Sequence, residues 1–474
     1  MKKLTAFLLA TVMVLSLCAC SGGAGNTETE PKLEGLCVGF AKENITPDFE
    51  VGLSGYSNGM TRRFNGKVHS YIYLTCIAIT EGEDTVLLFS QDLLYSDEGP
   101  VDDARQKITA ATGIPADRIM FSATHTHSGP ATTYGDAGST SMWELYVNAA
   151  VKAAQKALAD RAPTTIYGND VEVTGMNYVR HYKMKDGTLR SQNDIRFDMK
   201  QVDDYATEID DEMVLVKFDR ADESKKDVLL MNWQAHPCFT SDMGNGVEVS
   251  ADFIAPTRDT IENSTGMEFI YFTGAVGNHA TESHVVKDKN YLTVNEYGQK
   301  LAKAAIDALP TLQKIEGEGI KTTQVDFEYA TNRDELDRLT EAKEAMKYYN
   351  EKGSALGNAK LIEMGFVGYY HPNAIVARAE RPEKGSMELN ALYVAGMAFI
   401  TAPYEMFSNA SIQIKNESPF AITVVCGNAN ESHSYVPSDA AYDYDAYEAE
   451  ISYFARGCAE AAADEFVRML KTLQ

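Results

Sequence analysis

The feature that most constrains this chain is a short apolar run that ends in two histidines. Ile119-Met120-Phe121 is followed by SATHTHSGP over residues 122–130, and the Gly-Pro pair stops any continuation. We predict a buried strand with a polar tip. Residues two apart in an extended chain point to the same face, so His125 and His127 are expected to present both imidazoles to one side, as a zinc site requires. Alone, such a pair is more often two hydrogen-bonded structural histidines.

Four further apolar runs end in a similar way. They cover residues 228–233, 269–272, 398–400 and 421–426, and they lead respectively to His236, to Gly277-Asn278, to Glu405, and to Gly427-Asn428 with Tyr435. In α/β sheets, ligands bind in the crevice beyond the carboxyl ends of the strands. Ordinary strand-to-loop transitions also favour Gly, Pro and Asn, but they do not account for histidines and a lone glutamate at strand tips. The pattern predicts one site built from several strand ends.

Length and composition favour a large α/β protein. With 474 residues, 44% of them hydrophobic, the chain is long enough for a full core in one large domain. We predict mixed sheets flanked by helices, with the metal site at the carboxyl ends of the strands. A net charge of −25 argues against a nucleic-acid partner, because surfaces that bind nucleic acid are basic.

Periodicity places most of the elements along the chain. We predict strands at 36–41, 69–80, 84–90, 213–218, 227–235, 388–401 and 420–426, and helices at 101–112, 141–160, 253–264, 292–309, 332–352, from Glu405 onward, and at 446–472. The segment from 352 to about 385 has no regular pattern and is interpreted as an insertion or lid.

The N-terminus is interpreted as a targeting segment. Two lysines at 2–3 precede an apolar stretch over 4–17, which is too short to span a bilayer comfortably. The following Leu-Cys-Ala-Cys resembles a bacterial lipobox, which makes residues 1–20 a lipoprotein signal peptide and Cys20 the lipidated first residue of the mature protein. An ordinary cleaved signal peptide is the alternative. Residues 21–35 are rich in small and polar residues, as in a flexible tether. We expect an extracytoplasmic protein held to the membrane by the lipid on Cys20.

Several segments together resemble one enzyme family, the neutral ceramidases. They are Val38–Ala41 with Asn44–Pro47 and Gly55-Tyr56, Ser122–Pro130, Asn232-Trp233 with Ala235–Pro237, Pro403–Phe407, Tyr435–Pro437, Tyr442, and Tyr447-Glu448. The resemblance runs from about Leu36 to near the C-terminus, and the THTHSGP match is its most specific part. It implies a ceramidase-like catalytic domain over 36–474. Full-length ceramidases usually carry a further β-sandwich domain, and we expect this chain to have the catalytic-type domain alone.

The resemblance implies a zinc site made by His125, His236, Glu405 and Tyr435. Two imidazoles, a carboxylate and a phenolate oxygen suit zinc and leave room for one water. Zinc lowers the pKa of such a water to about 7, which supplies a nucleophile at neutral pH. Without the resemblance, Glu405 is better interpreted as a carboxylate at a helix N-terminus and Tyr435 as an ordinary core or rim residue.

Three more residues receive catalytic roles from the resemblance. His127 is the expected general acid/base or a residue that supports the ligands, while Arg180 and Tyr447 match positions that hold or polarise the scissile amide. A guanidinium keeps its charge and can serve as a permanent oxyanion donor. A solvated surface arginine is the alternative for Arg180. The remaining loop histidines near the proposed site, which are His279, His284 and His433, are weaker candidates for substrate contact.

One position departs from the family pattern. Ceramidases carry a serine in a GDVSP-like segment, whereas this chain reads Gly274-Ala275-Val276-Gly277-Asn278, with Gly277 in the place of the serine. A nucleophile supplied by the metal tolerates this change, but ceramide itself becomes a doubtful substrate.

The leading hypothesis is therefore a membrane-anchored zinc amidohydrolase of sphingolipid-type metabolism, acting on a small-molecule or lipid N-acyl substrate. One alternative is a zinc hydrolase of an ester or another bond. A second is a catalytically silent lipoprotein that keeps the fold and binds an extracellular ligand.

Overall fold

Two mixed β-sheets form the centre of the molecule. The computed structural model describes residues 34–55, 62–64, 66–242, 246–288 and 291–474, and these described residues form one compact unit. The proposed signal peptide, Cys20 and Tyr56 lie outside the described residues. No helix in the described ranges is long and apolar enough to cross a membrane.

The strands are β1 (Leu36–Asn44), β2 (Tyr73–Glu81), β3 (Asp84–Gln91), β4 (Ile119–Ala123), β5 (Ala162–Glu172), β6 (Tyr178–Val179), β7 (His181–Met184), β8 (Leu189–Ser191), β9 (Val202–Tyr205), β10 (Glu212–Arg220), β11 (Val228–Trp233), β12 (Glu268–Thr273), β13 (His279–Ala280), β14 (Gln313–Lys314), β15 (Ile320–Ala330), β16 (Lys384–Val394), β17 (Met397–Thr401), β18 (Glu405–Met406), β19 (Thr423–Cys426) and β20 (Tyr435–Val436). The α-helices are α1 (Glu98–Thr112), α2 (Ala137–Ala159), α3 (Phe239–Asp242), α4 (Ile254–Thr265), α5 (Val294–Ala308), α6 (Leu339–Lys352), α7 (Ser354–Glu363), α8 (Tyr370–Glu380), α9 (Ser408–Glu417), α10 (Asp439–Tyr442), α11 (Tyr447–Ile451) and α12 (Cys458–Thr472).

The larger sheet runs in the order β12-β11-β10-β5-β1-β2-β3-β4, and the smaller one in the order β15-β16-β17-β19. In the larger sheet β3 is parallel to β4 and β11 is parallel to β12, while its other pairs are antiparallel. In the smaller sheet β17 and β19 are parallel. Both sheets are therefore mixed, which confirms the predicted fold class.

Helices cover the outer faces of both sheets, so the layers run helix, sheet, sheet, helix. On β2, Ile77 and Ile79 belong to the core between the two sheets, while Cys76 and Ala78 face the core under α1 and α2. Helices α4 and α5 cover the other end of the larger sheet, and α9 and α12 cover the smaller sheet. Because both faces of the central strands are buried, these strands are apolar throughout and do not alternate with polar residues.

The ends of the predicted strands meet at one edge of the two sheets. The backbone of Ser122 bridges to Ala429, and Gly427 N donates to Thr273 O. Ala402 N donates to Cys426 O in the same region. Strands β4, β12, β17 and β19 therefore deliver their following loops to one place, as the sequence pattern predicted.

The strands predicted over 388–401 form a hairpin of β16 and β17, turned at Ala395-Gly396, where both residues have positive φ. Other predicted elements were wrong in detail. The irregular stretch after 352 contains the helices α7 and α8. The final helix is broken into α11 and α12, since the left-handed Gly457 lies immediately before α12. Glu405 does not start a helix; it lies in β18, and α9 begins only at Ser408.

Candidate active site

The two histidines expected on one extended strand are held in a turn instead. Strand β4 ends at Ala123, and His125 has a φ of 67°, in the left-handed region. The prediction that His125 and His127 share one face of a strand was therefore wrong in its geometry. Backbone hydrogen bonds from Thr124 N to Gln91 O and from His125 N to Leu93 O tie this turn to the loop after β3. Both rings nevertheless point to the same place, with their centroids 5.1 Å apart.

Backbone carbonyls determine which ring nitrogen of His125 and of His236 carries a proton. Nδ1 of His125 lies 2.9 Å from Leu94 O, and Nδ1 of His236 lies 2.9 Å from Val276 O. A carbonyl oxygen only accepts, so Nδ1 of each ring carries a proton, and Nε2 of the neutral ring presents a lone pair. Burial, and then the charge of Arg180, lowers the pKa of His236 well below its usual range, which keeps this ring neutral. The two Nε2 atoms lie 3.2 Å apart.

A buried carboxylate completes this group of acceptors. Glu405 Oε2 lies 3.2 Å from His125 Nε2 and 3.8 Å from His236 Nε2, and it has no hydrogen-bond partner among the described residues. Three potential lone-pair donors face one another in a buried space, an arrangement that a cation between them would stabilise. Ligands about 2.0–2.2 Å from a tetrahedral ion lie about 3.3–3.5 Å from one another, close to these separations. The residues therefore fit zinc.

Tyr435 is placed beside Glu405 by backbone pairing. Strands β18 and β20 are parallel, with Glu405 opposite Tyr435 in the register. The buried Tyr435 hydroxyl accepts a hydrogen bond of 3.1 Å from Arg180 Nη2. Burial, and then the charge of Glu405, raises the pKa of Tyr435 well above its usual range. A cation beside the two side chains would oppose the effect of the Glu405 charge, so the hydroxyl of Tyr435 is a candidate for a fourth ligand.

His127 lies against the same group from the other side. Its ring centroid is 5.0 Å from that of His236, and the ligand atoms of His125, His127 and His236 all lie within 4.8 Å of one another. Burial, and then His125, lowers the pKa of His127 well below its usual range. Gly55, at a φ of 117°, packs so closely that a Cβ on it would lie 2.8 Å from His127 Nδ1. Glycine at this position is what gives the imidazole its space.

Arg180 has only 11% of its side chain exposed and is held by several hydrogen bonds, so the alternative of a solvated surface arginine is wrong. Its Nε donates to Glu448 Oε1 over 2.6 Å, and its Nη2 also donates to Gly277 O over 2.8 Å. The second oxygen of Glu448 lies 2.7 Å from His181 Nε2, and the Tyr444 hydroxyl lies 2.7 Å from His181 Nδ1. Burial raises the pKa of Glu448, but Arg180 and His181 outweigh it and lower the pKa to about 2.

Glu448 and His181 were not assigned roles from the sequence. Each directly adjoins a predicted residue, since His181 follows Arg180 and Glu448 follows Tyr447. They are more than two hundred positions apart, however, and a pairing over that distance is invisible in a single sequence.

A cavity of about 1120 Å³ opens onto these groups. His127, Arg180, His236, Glu405, Tyr435 and Tyr447 line it, while His125 lies behind them and is almost fully buried. The Tyr447 ring lies 6.1 Å from the Tyr435 ring, and its backbone N donates to Ser191 Oγ. The structure thus brings together all seven residues predicted from the sequence.

The three loop histidines that were weaker candidates for substrate contact do not line the described part of the cavity. His279 is buried with Nδ1 against Ala275 O, and His433 lies between Glu431 and the Tyr453 hydroxyl. His284 packs against the rings of Tyr182 and Phe197. Their contacts in the described residues are those of structural side chains.

Gly277 has no room for a side chain. A Cβ on it would lie 2.7 Å from Glu405 O, 2.8 Å from Met406 O and 2.9 Å from Phe407 Cδ1. Its amide donates to Met406 O, and its carbonyl accepts from Arg180. The position where the family resemblance places a serine is therefore filled by the backbone that carries Glu405.

The fold is similar to that of solved ceramidases. It superposes on neutral ceramidase from Pseudomonas aeruginosa with a TM-score of 0.66 and 16% identity, over 93% of this chain and 74% of that one. A ceramidase complexed with C2 gives a TM-score of 0.66 and 16% identity, over 93% of this chain and 75% of that one. No family model and no curated protein matches the sequence. At 16% sequence identity, this likeness is evidence for the fold alone.

Proposed function

We propose that this protein is a zinc-dependent hydrolase that cleaves an N-acyl amide bond. The observation that carries the proposal is the convergence of His125 Nε2, His236 Nε2 and Glu405 Oε2, with separations of 3.2–3.8 Å, at the wall of a cavity that also contains Arg180. The likeness of the fold to ceramidases, which are amide hydrolases, supports the choice of an amide over another bond.

Zinc bound by His125, His236, Glu405 and Tyr435 would supply Lewis-acid activation of water at neutral pH. The protein holds the ligands for it in advance. The two carbonyls behind the histidines fix their tautomers, and the β18–β20 pairing fixes Glu405 against Tyr435. Such outer contacts orient metal ligands and raise their basicity.

Arg180 is positioned to bind the substrate carbonyl oxygen. Its Nε and Nη2 are occupied by Glu448, Gly277 and Tyr435, whereas Nη1 has no hydrogen-bond partner among the described residues. The Nη1 hydrogens can therefore donate to the oxygen as it gains negative charge during attack. Because Glu448 is ionised and buried beside it, the guanidinium is pre-oriented and needs no reorganisation.

His127 is positioned to move the proton. Its lowered pKa keeps the ring neutral, so a ring nitrogen can take a proton from the attacking water. The oxygen of that water bonds to the carbonyl carbon, the C–N bond breaks, and His127 returns the proton to the leaving nitrogen. The products are a carboxylic acid and a free amine.

The test is metal analysis combined with a substrate panel. Purified protein should contain close to one zinc per chain, chelation should abolish hydrolysis of N-acyl amides, and added zinc should restore it. His433→Ala is the control, because this histidine lies outside the cluster and should change neither property. Preferential cleavage of matched esters would replace the amide by the ester as the substrate bond. Bound zinc without any turnover would favour a ligand-binding lipoprotein.

We also propose that a lipid on Cys20 anchors the protein on the outer side of the cytoplasmic membrane. The support is the apolar stretch over 4–17 followed by Leu-Cys-Ala-Cys. Cys20→Ser should leave the protein unprocessed or move it from the membrane fraction to the soluble fraction, whereas Cys18→Ser should change neither result. Full processing and membrane retention of Cys20→Ser would contradict the anchor.

A further inference from the structure

The wall of the cavity is unusually polar for a lipid site. The larger apolar side chains in its described lining are Leu94, Phe239, Leu292 and Ile451. Most of the other lining side chains bear hydroxyl, amide, carboxylate or imidazole groups. Small-molecule pockets are ordinarily lined mainly by apolar and aromatic groups with a few polar ones. This cavity departs from that composition.

Tyrosines supply its aromatic surface. Those in the described lining are Tyr95, Tyr134, Tyr291, Tyr370, Tyr435 and Tyr447. A tyrosine combines an apolar ring with a hydroxyl that forms hydrogen bonds, and it is favoured where a ligand is apolar on one side and hydrated on the other. The ring of a sugar has this character, because its C–H faces are apolar while its edges carry hydroxyl groups.

Two of these tyrosines are well exposed. Tyr291 is 74% exposed and Tyr370 is 39% exposed. The Tyr370 ring lies edge-on to the Tyr447 ring at 5.2 Å, which joins it to the side of the site that holds Arg180. An exposed aromatic ring on the wall of a cavity offers a free face for stacking.

The helix that carries Tyr370 is firmly attached beside the site. His371 Nε2 lies 2.8 Å from Glu450 Oε2, and the Arg378 guanidinium donates to the backbone oxygens of Ala449 and Ser452. These contacts fix α8 against α11, the helix that begins with Tyr447. The segment interpreted from its sequence as an insertion or lid is thus anchored as a wall, and Tyr370 is held in place before any ligand binds.

Side-chain amides lie on the same wall. Gln192 and Asn193 line the cavity, and no described residue accepts from or donates to either side-chain amide. Amide groups bind hydroxyls as both donor and acceptor. The exposed Glu282 lies nearby on the lining and disfavours an anionic ligand.

From this lining we infer that the substrate is a neutral N-acylated amino sugar or a related polyhydroxylated N-acyl amine. Long alkyl chains against this wall would remove hydroxyls, amides and carboxylates from water without replacing their hydrogen bonds, which is costly. The inference rests on the proposed amide hydrolysis for the reaction and on the lining alone for the substrate class. Tyr370 is then a specificity-determining residue, and the 1120 Å³ volume admits one or two sugar rings with a short acyl group.

The test compares two probes on the zinc-loaded protein. N-acetylglucosamine disaccharide represents the sugar class, and N-palmitoyl-sphingosine in detergent micelles represents an amide with two long chains. Binding is measured by saturation-transfer NMR and calorimetry, and hydrolysis by release of free amine. We expect the disaccharide to bind and to be cleaved with the higher kcat/KM. Tyr370→Ala should weaken disaccharide binding about five- to tenfold, in line with the loss of one aromatic contact.

Tyr71→Ala is the matched control, because this tyrosine is 59% exposed but does not line the cavity, and it should bind as the wild type does. Binding of the disaccharide that depends on Tyr370, without cleavage of either probe, would support the substrate class and refute the hydrolysis. Cleavage of the two-chain amide at a higher kcat/KM would refute the substrate class and leave the hydrolysis standing. Absence of disaccharide binding, or binding that Tyr370→Ala leaves unchanged, would refute the inference.

Discussion

Two groups of buried histidine and carboxylate side chains in this protein differ in the spacing of their polar atoms. In one, His125, His236 and Glu405 bring lone pairs to within 3.2–3.8 Å of one another. In the other, His371 Nε2 lies 2.5 Å from Glu335 Oε2 and 2.8 Å from Glu450 Oε2. The second set of distances is that of hydrogen bonds and is too short for ligands around one metal ion, which lie about 3.3–3.5 Å apart.

The pKa shifts of the histidines also distinguish the two groups. Burial alone lowers the pKa of a histidine, and it does so for His236. Burial acts on His371 as well, but its hydrogen bonds to Glu335 and Glu450 outweigh it and raise the pKa to about 9. His371 therefore supplies its own positive charge, while the neutral ring of His236 leaves its group suited to bind a cation from outside, as proposed above. Similar residue types do not by themselves identify a metal site. A metal site also requires a ring nitrogen without a proton and ligand atoms at the separations that one ion imposes.

The largest expected difference between the two groups is in metal content. His236→Ala should reduce bound zinc to under about a tenth of the wild-type amount, because one of the protein ligands is lost. His371→Ala should retain the zinc. Plasma emission analysis of both purified proteins, with circular dichroism to check folding, measures this. Zinc loss in His371→Ala, or full occupancy in His236→Ala, would reverse the assignment of the two groups.

The next largest effect concerns the arginine that joins the metal group to α11. Arg180→Ala should lower kcat/KM about 10²–10³-fold, the usual loss for one oxyanion donor, with zinc retained. Glu448→Gln should lower kcat by a smaller factor, since it loosens the orientation of Arg180 but leaves its charge. Steady-state kinetics with zinc analysis on both variants makes the measurement. An unchanged kcat in Glu448→Gln would show that Glu448 does not position Arg180 for catalysis.

The smallest effect is on stability, and it depends on pH. His371→Gln should lower the free energy of unfolding by about 3 kcal/mol near pH 6, the low end for breaking a buried ion pair. The folded-state pKa of His371 is raised from 6.5 to about 9, so the stabilisation is fully present below about pH 6.5 and is lost as the pH rises through 9. Hydrogen bonding to His371 lowers the pKa of Glu335 from 4.5 to about 2, so stabilisation is also lost as the pH falls through that range.

Denaturant midpoints of wild type and His371→Gln from pH 5.5 to 10 test this dependence. The two curves should converge at the alkaline end. A difference that stays constant across the range would show that His371 stabilises the wall by packing and not by its charge.

The convergence of strand ends could be predicted from the sequence. Conformations that depend on contacts between distant segments could not. His125, His236 and Glu405 each follow an apolar run, which is a local signal that a single sequence carries. The helix expected from Glu405 was wrong because the backbone pairing of Glu405 with Tyr435, between segments distant in the chain, determines its conformation. The helices α7 and α8 were missed because they form a small core of their own, around Ala342, Leu361 and Phe366, with little regular apolar spacing.

The close packing at Gly277 also bears on evolution. The carbonyls of Glu405 and Met406 occupy the space into which a side chain at 277 would extend. A side chain at 277 fits only if this backbone or that of residue 277 shifts, so a hydroxyl there and the present position of Glu405 are coupled. Replacement of Gly277 by serine is therefore expected to need accompanying changes in residues 405–407 that make room for the side chain.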